Sequence, residues 1–236
     1  MGDEGLCFPP LALLRLQSWL SPAFPVGSYG YSHALEWAVE AGYVLDRSTL
    51  VDWLEATLCY GSVRNEAIFF RVAWRSTIDD DRARLFEVAE VAAACRGTAE
   101  FALESSQQGA ACLTVLRQVW PDRILVWLSD MLRERRIQPS LAVVLGVCSA
   151  RQGIPAGLAV PAFLQSYLAN LVTAGVRLIP LGQTEGQLAI AELEEAVLAA
   201  TAKNQEATIA DLGSAAFMVD ICSAMHETQY TRLFRS

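Results

Sequence analysis

Histidine, cysteine and lysine side chains carry much of protein catalysis and metal binding, and this chain uses them sparingly. Its 236 residues include two histidines, His33 and His226, and six cysteines at positions 7, 59, 95, 112, 148 and 222. The sole lysine, Lys203, follows alanine, which excludes a phosphate-binding P-loop because that loop needs Gly-Lys-Ser/Thr. The sequence also lacks the HExxH motif of zinc proteases, the GxSxG elbow of hydrolases and a GxGxxG motif after a strand.

Two pairs of side chains have the one-turn spacing that places both members on one face of a helix. Cys222 and His226 are weak candidate metal ligands, because two ligands alone make a poor site, and a buried cysteine beside a polar helix end is the favoured interpretation. Glu100 and Glu104 are predicted to lie on a solvated helix face rather than to form an acid/base pair. His33 is predicted to sit, solvated or hydrogen-bonded, in the first turn of a helix. No catalytic residue and no cofactor are therefore predicted.

The composition predicts a soluble protein with one sizeable core, since 53% of the residues are hydrophobic and 19% are charged. A net charge of −8 without a basic run argues against nucleic-acid binding. No CxxC motif occurs, and Asp3 and Glu4 stand where a secretory signal would carry basic residues. We therefore expect reduced thiols and a cytoplasmic location.

Hydrophobic periodicity predicts an all-α fold, because apolar residues recur at helical spacing and sustained period-two alternation is absent. We expect a single helical, bundle-like domain of about ten helices. Residues 21–28 (SPAFPVGS) break the first helix, and another helix is predicted over residues 31–41. Capping boxes are predicted where TLVD begins at Thr49 and where TEGQ begins at Thr184.

One apolar segment is long enough to cross a bilayer. Residues 154–176 carry no charge, and a membrane span takes ~20 apolar residues. Gln165 and Asn170 would be costly in hydrocarbon, however, and prolines and glycines interrupt the segment. We therefore predict a buried central helix and no membrane association.

Three segments are rich in residues typical of recognition surfaces. They are SPAFPVGSYGYSHALEWAVEAGYV at 21–44, AGVRLIPLGQTEGQ at 174–187 and AMHETQYTRLFRS at 224–236. In this order and spacing they closely resemble the UreF family of urease accessory proteins, with AACRGT at 93–98 as a weaker match between them. The chain departs from the family pattern at His33-Ala34, where Gln-Gly is expected, and at Met225, where arginine is often found. Residues 99–102 read AEFA where the family often has RELR.

The resemblance implies an all-α, dimeric protein that is not an enzyme and carries no cofactor. UreF proteins form a complex with a second accessory protein, UreD (also called UreH), and with the GTPase UreG. This complex activates apo-urease, and nickel transfer is coupled to GTP hydrolysis by UreG. The missing P-loop agrees with this division of labour, because the nucleotide chemistry belongs to the partner.

The resemblance also implies which residues meet each partner. On the UreG side it places Tyr29, Glu36, Arg177 and Gln183. Tyr29 and Glu36 are predicted to be surface contacts, whereas the neighbouring Trp37 is predicted to belong to the core. Arg177 lies in the last turn of a predicted helix, where it also compensates the helix dipole.

The C-terminal residues are implied to meet the other partner. The predicted organisation is an all-α domain over residues 1–224 followed by a partner-binding tail over residues 225–236. Tail residues implied to dock onto UreD/UreH are Tyr230, Arg232, Leu233, Phe234 and Arg235. Apolar anchors flanked by arginines fit a segment that becomes ordered on a partner. The alternative is a frayed terminus, which is common in any domain.

Three functional hypotheses remain from the sequence. The leading one is a dimeric scaffold that joins UreD/UreH to UreG and gates nickel delivery. The second is a direct regulator of GTP hydrolysis by UreG, either an activator with Arg177 as an arginine finger or a restraint on futile hydrolysis. A nickel-binding metallochaperone is the third and weakest, because the histidines are few and the cysteines are dispersed.

Overall fold

The amphipathic segments fold into twelve α-helices in the computed structural model, which describes residues 9–236. The helices are α1 (Pro10–Leu20), α2 (Leu35–Glu40), α3 (Arg47–Tyr60), α4 (Ser62–Ile78), α5 (Arg82–Ala94), α6 (Ala99–Val119), α7 (Arg123–Arg135), α8 (Leu141–Arg151), α9 (Ala156–Leu178), α10 (Gln183–Glu192), α11 (Glu194–Lys203) and α12 (Phe217–His226). Short 3-10 helices occupy Ser28–Gly30 and Ile209–Asp211, and the described residues contain no strand. The all-α prediction is confirmed, with twelve helices rather than about ten.

Helices α4 and α8 form the tightest pair in the core, and a glycine permits their approach. A Cβ on Gly146 would collide with the backbone carbonyl oxygen of Phe70. Gly109 likewise permits a close approach between α6 and the residues before α8, since a Cβ there would collide with the carbonyl oxygen of Pro139. Every residue of α8 from Ala142 to Ala150 is buried as a result.

The long apolar helix α9 passes through the centre of the molecule. It is the one helix of the described chain that is long and apolar enough to cross a membrane, and 50% of its most apolar 18-residue window is buried inside the protein. It packs against α2, α3, α4, α10 and α11. Two of its polar residues bond to the end of α1 and the segment that follows it: Ser166 Oγ donates to the Leu20 carbonyl at 2.7 Å, and Asn170 Nδ2 donates to the Ser28 carbonyl at 3.0 Å. The predicted central helix is present.

The segment before α2 differs from the prediction of a helix over residues 31–41. Helix α2 begins only at Leu35, because His33 and Ala34 have φ values of 53° and 68°, in the left-handed region. This conformation costs an L-residue roughly 1–2 kcal/mol, so a glycine would adopt it more readily than Ala34. The turn directs His33 into the interior, where it is buried.

The helix starts at α3 and α10 also differ from the predicted capping boxes. At α3 the N-cap is Asp46, and Thr49 is its reciprocal partner three residues later, so Thr49 completes a capping box rather than beginning one. At α10 the N-cap is Gly182, without a side-chain cap, and Thr184 lies inside the first turn. Both helices nevertheless begin within three residues of the predicted position.

Candidate partner-binding site

Glu36 anchors the C-terminal segment, by which we mean residues 227–236. Its carboxylate accepts the backbone N–H of Leu233 at 2.7 Å and that of Phe234 at 2.9 Å. Only 5% of Glu36 is exposed, so the prediction that it is a surface contact is wrong. The physical reason is that two peptide N–H groups and an imidazole satisfy the buried charge. Trp37 is half-buried and packs against the core, as expected.

His226 lies between two carboxylates. Its Nε2 is 3.1 Å from Glu36 Oε2, and its Nδ1 is 2.7 Å from Glu100 Oε2. Arg232 also contacts this cluster, with Nη1 donating to Glu100 Oε1 at 2.9 Å. Burial raises the pKa of Glu100, and the neighbouring His226 and Arg232 oppose that shift. The cluster ties α2, α6, α12 and the C-terminal segment together.

A second buried cluster surrounds His33. His33 Nδ1 is 3.1 Å from Glu104 Oε2, and His33 Nε2 is 2.5 Å from Ser62 Oγ. The imidazole stacks on Phe101 with 4.1 Å between ring centroids. Ser236 Oγ also donates to Glu104 at 2.9 Å. Burial alone would raise the pKa of Glu104, but His33, the Ser236 hydroxyl and nearby Arg96 outweigh it and leave this pKa below its usual value.

The prediction of a solvated face for Glu100 and Glu104 is therefore wrong, since they are 6% and 4% exposed. Each carboxylate is paired with one of the two histidines, which lie far away in the chain. The sequence held one signal for this pairing. It has two histidines, and two glutamates one turn apart on a predicted helix. Periodicity alone cannot reveal it, because the pairing is made by tertiary packing.

On the surface, the structure brings together residues that the resemblance assigned to different partners. Arg177 is exposed, and its guanidinium lies 4.0 Å from the centre of the Tyr29 ring and 4.3 Å from that of Phe234. Arg177 Nη1 also donates to the Tyr29 carbonyl at 3.0 Å. Tyr29 itself is 66% exposed. Gln183 is exposed at the first position of α10.

The C-terminal segment is folded onto the chain, which contradicts both a frayed terminus and a tail that is ordered only by a partner. Phe234 is buried against the core, and the Arg235 N–H donates to the Gly30 carbonyl at 2.8 Å. The Ser32 N–H donates to the Ser236 carbonyl at 2.8 Å. The predicted boundary after residue 224 falls inside α12. Tyr230 and Leu233, by contrast, are exposed.

The weak metal candidates are both buried on α12. Burial raises the pKa of the Cys222 thiol to about 11, which disfavours the thiolate that binds metals. Both ring nitrogens of His226 face carboxylates, as described above. Among residues 9–236, no three histidine, cysteine, aspartate or glutamate side chains converge on a metal position. Cys7 lies outside the described residues.

Comparison with known proteins places this chain in a family. The UreF family model matches residues 44–194. A urease accessory protein UreF of Rhodopseudomonas palustris (strain BisB5) is 45% identical over 225 residues, which cover 95% of this chain and 91% of that protein. The UreF protein of Granulibacter bethesdensis is 47% identical, and the match covers 94% of its length. The UreF protein of Magnetococcus marinus is 43% identical, and the match covers 98% of its length. The chain therefore belongs to the UreF family of urease accessory proteins.

Proposed function

We propose that this chain is a scaffold in urease maturation, which joins UreD/UreH to the GTPase UreG in the complex that inserts nickel into apo-urease. The observation that carries the proposal is the two-sided C-terminal segment. Its inner side holds it to the chain through Glu36 and Phe234. Its outer side presents Tyr230, which is fully exposed, and Leu233.

The outer side of the segment suits a protein partner. An aromatic and an aliphatic anchor beside arginines make up the usual composition of a binding hot spot. Because the segment is already ordered, a partner that docks there does not have to order a flexible chain. We assign UreD/UreH to this surface, with Tyr230 and Leu233 as anchors and Arg232 and Arg235 beside them. Phe234 is buried in the core and holds the C-terminal segment in place.

The UreG surface in this proposal consists of Tyr29, Arg177 and Gln183, which are all exposed. Stacking on two aromatic rings fixes the Arg177 guanidinium before binding, which reduces the entropy lost in a complex. Glu36 contributes indirectly, because it is buried and positions the C-terminal segment beside Arg177.

Co-purification with UreD/UreH and UreG from the same source tests the scaffold. Deleting the chain after residue 224 is unsuitable, because it removes the buried His226. We instead replace the exposed anchors together, Tyr230→Ala with Leu233→Ala, and compare them with Tyr43→Ala with Leu45→Ala, another exposed tyrosine and leucine pair elsewhere. We expect the first variant to bind UreD/UreH about 100-fold more weakly, since two hot-spot residues are lost. The control should form a wild-type complex by light scattering.

An unchanged complex with the Tyr230/Leu233 variant would reject this docking surface.

The exposed, stacked Arg177 also supports the alternative, direct regulation of GTP hydrolysis. In that case Arg177→Ala changes the GTP turnover of UreG in the assembled complex, whereas a pure scaffold leaves the turnover per complex unchanged.

The remaining features of the proposal follow from family membership. We infer a cytoplasmic homodimer that performs no chemical step of nickel insertion itself, contacts apo-urease through the complex and binds neither nucleic acid nor membrane. The acidic net charge of −8 agrees with the lack of nucleic-acid binding. The exposed Leu11 and Leu14 of α1 provide apolar surface of the kind that subunit contacts cover.

A further inference from the structure

Three side chains from separate parts of the chain form a line of hydrogen bonds at a small cavity. His33 comes from the turn before α2, Ser62 is the first residue of α4, and Glu104 lies in α6. Ser62 Oγ is 2.5 Å from His33 Nε2, and His33 Nδ1 is 3.1 Å from Glu104 Oε2. All three line a cavity of about 90 Å³, whose rim includes the exposed Cys95 and Gly97.

The ionisation of Glu104 favours one direction for these hydrogen bonds. Its lowered pKa makes it a carboxylate at neutral pH, and a carboxylate only accepts hydrogen bonds. A proton on His33 Nδ1 can therefore be donated to Glu104, and the Tyr167 hydroxyl lies 3.1 Å from the same nitrogen and 3.4 Å from Glu104 Oε1. In the tautomer with its proton on Nδ1, Nε2 holds a lone pair that accepts the hydroxyl proton of Ser62. This is the arrangement of an activated serine, a general base and an acid that orients the base.

The backbone around Ser62 adds donors for a developing negative charge. Ser62 follows Gly61, the N-cap of α4, which has no side-chain cap. Within residues 9–236 the N–H groups of Ser62 and Val63, at the start of α4, donate to no protein acceptor. Free N–H groups and the positive end of the helix dipole favour an oxyanion near this helix end.

We propose that Ser62 is a nucleophile that hydrolyses small acyl esters, with His33 as its general base and Glu104 as a positioning residue. Ser62 Oγ attacks the ester carbonyl carbon while its proton passes to His33 Nε2. The bond to the alkoxy oxygen breaks, and the leaving alcohol takes that proton. Water then attacks the acyl-serine, again with His33 as base, which releases the carboxylic acid and restores Ser62.

The small cavity restricts the acyl group to a short chain, and the site adjoins the C-terminal segment through the hydrogen bond from Ser236 to Glu104. A geometric triad of this kind needs no fixed order in the sequence. A search for the GxSxG motif therefore could not find this triad. The triad also depends on His33, and a glutamine at this position would remove the base while retaining a hydrogen-bonding side chain.

Covalent labelling of the purified full-length chain tests the proposal. We treat it with a fluorophosphonate probe and locate the adduct by mass spectrometry, which requires no variant. The expected adduct is on Ser62. Ser62→Ala should lose it, whereas Ser105→Ala, which removes another serine of the same cavity, should label at the wild-type rate. His33→Gln should label Ser62 at least about 100-fold more slowly, the usual contribution of a general base.

Hydrolysis of p-nitrophenyl acetate should be lost in Ser62→Ala, slowed in His33→Gln and unchanged in Ser105→Ala. Thermal melts establish that each variant is folded. An intact wild-type chain that gives no adduct on Ser62 overturns the proposal. An adduct that forms equally fast in folded His33→Gln overturns the role of His33 as base. Hydrolysis that persists in Ser62→Ala at the wild-type rate overturns the role of Ser62 as nucleophile.

Discussion

Glu100 and Glu104 show how much a residue's surroundings decide its chemistry. They are one turn apart on α6, both are buried, and each faces a histidine. Burial leaves the pKa of Glu100 raised, whereas the partners of Glu104 leave its pKa lowered. Folding therefore depends on pH in opposite directions at the two positions, because a raised carboxyl pKa favours the protonated folded state and a lowered one favours the ionised state.

Glu104→Gln should destabilise the protein at neutral pH by about 2 kcal/mol, since a buried charged hydrogen bond is lost. Because the folded pKa lies below the ordinary value of 4.5, the contribution of Glu104 is present above pH 4.5 and is lost as pH falls through the folded pKa. The difference in unfolding free energy between wild type and Glu104→Gln should therefore shrink below pH 4.5. Urea denaturation across this range measures it.

Glu100→Gln is the matched control on the same helix. The pKa of Glu100 is raised above 4.5, so its contribution is present at low pH and is lost as pH rises through the folded pKa. The difference between wild type and Glu100→Gln should therefore move in the opposite direction with pH. Parallel pH profiles for the two variants would contradict the assignment of charges in these clusters.

At the scale of elements, the sequence predicts helices well and their starts less well. Helical periodicity identified α1, α3 and α9 because each buries apolar residues at helical spacing. It placed the start of α2 too early, because the left-handed turn at His33 and Ala34 depends on tertiary contacts rather than on local propensity. Periodicity also could not show which helices approach closely, because the sequence does not distinguish Gly146 or Gly109, at a close contact, from a glycine in a loop.

The close approach of α4 and α8 gives a direct test. Gly146→Ala places a methyl group against the Phe70 carbonyl, which is backbone and cannot move aside. Overpacking of this kind costs about 2 kcal/mol, or ~6 °C in Tm for a chain of this size. Gly157→Ala is the control, because a Cβ there meets nothing within 4 Å in the exposed first turn of α9. Calorimetry should show a loss for the first variant and no loss for the second; equal Tm values would contradict tight packing at Gly146.

At the scale of the whole molecule, the C-terminal segment is part of the fold. The resemblance identified its residues, but only tertiary structure divides them into inner and outer sides. Phe234 joins the core, whereas Tyr230 is exposed. Glu36 was predicted to be a surface residue because charge is normally solvated. Its burial depends on N–H groups almost 200 residues away, a pairing with no local signal in the sequence.

Glu36→Gln should therefore release the C-terminal segment while the rest of the chain stays folded. An amide offers one acceptor oxygen where the carboxylate offers two, so the Leu233 or Phe234 N–H loses its partner and His226 faces an uncharged group. A loss of about 2 kcal/mol raises the open population about thirty-fold, and tryptic cleavage after Arg232 should accelerate by that factor. Glu55→Gln, at an exposed position on α3, is the control and should be cleaved like wild type. Mass spectrometry of timed digests gives both rates. If Glu36→Gln and Glu55→Gln are cleaved equally slowly, burial of Phe234 rather than the Glu36 carboxylate holds the segment in place.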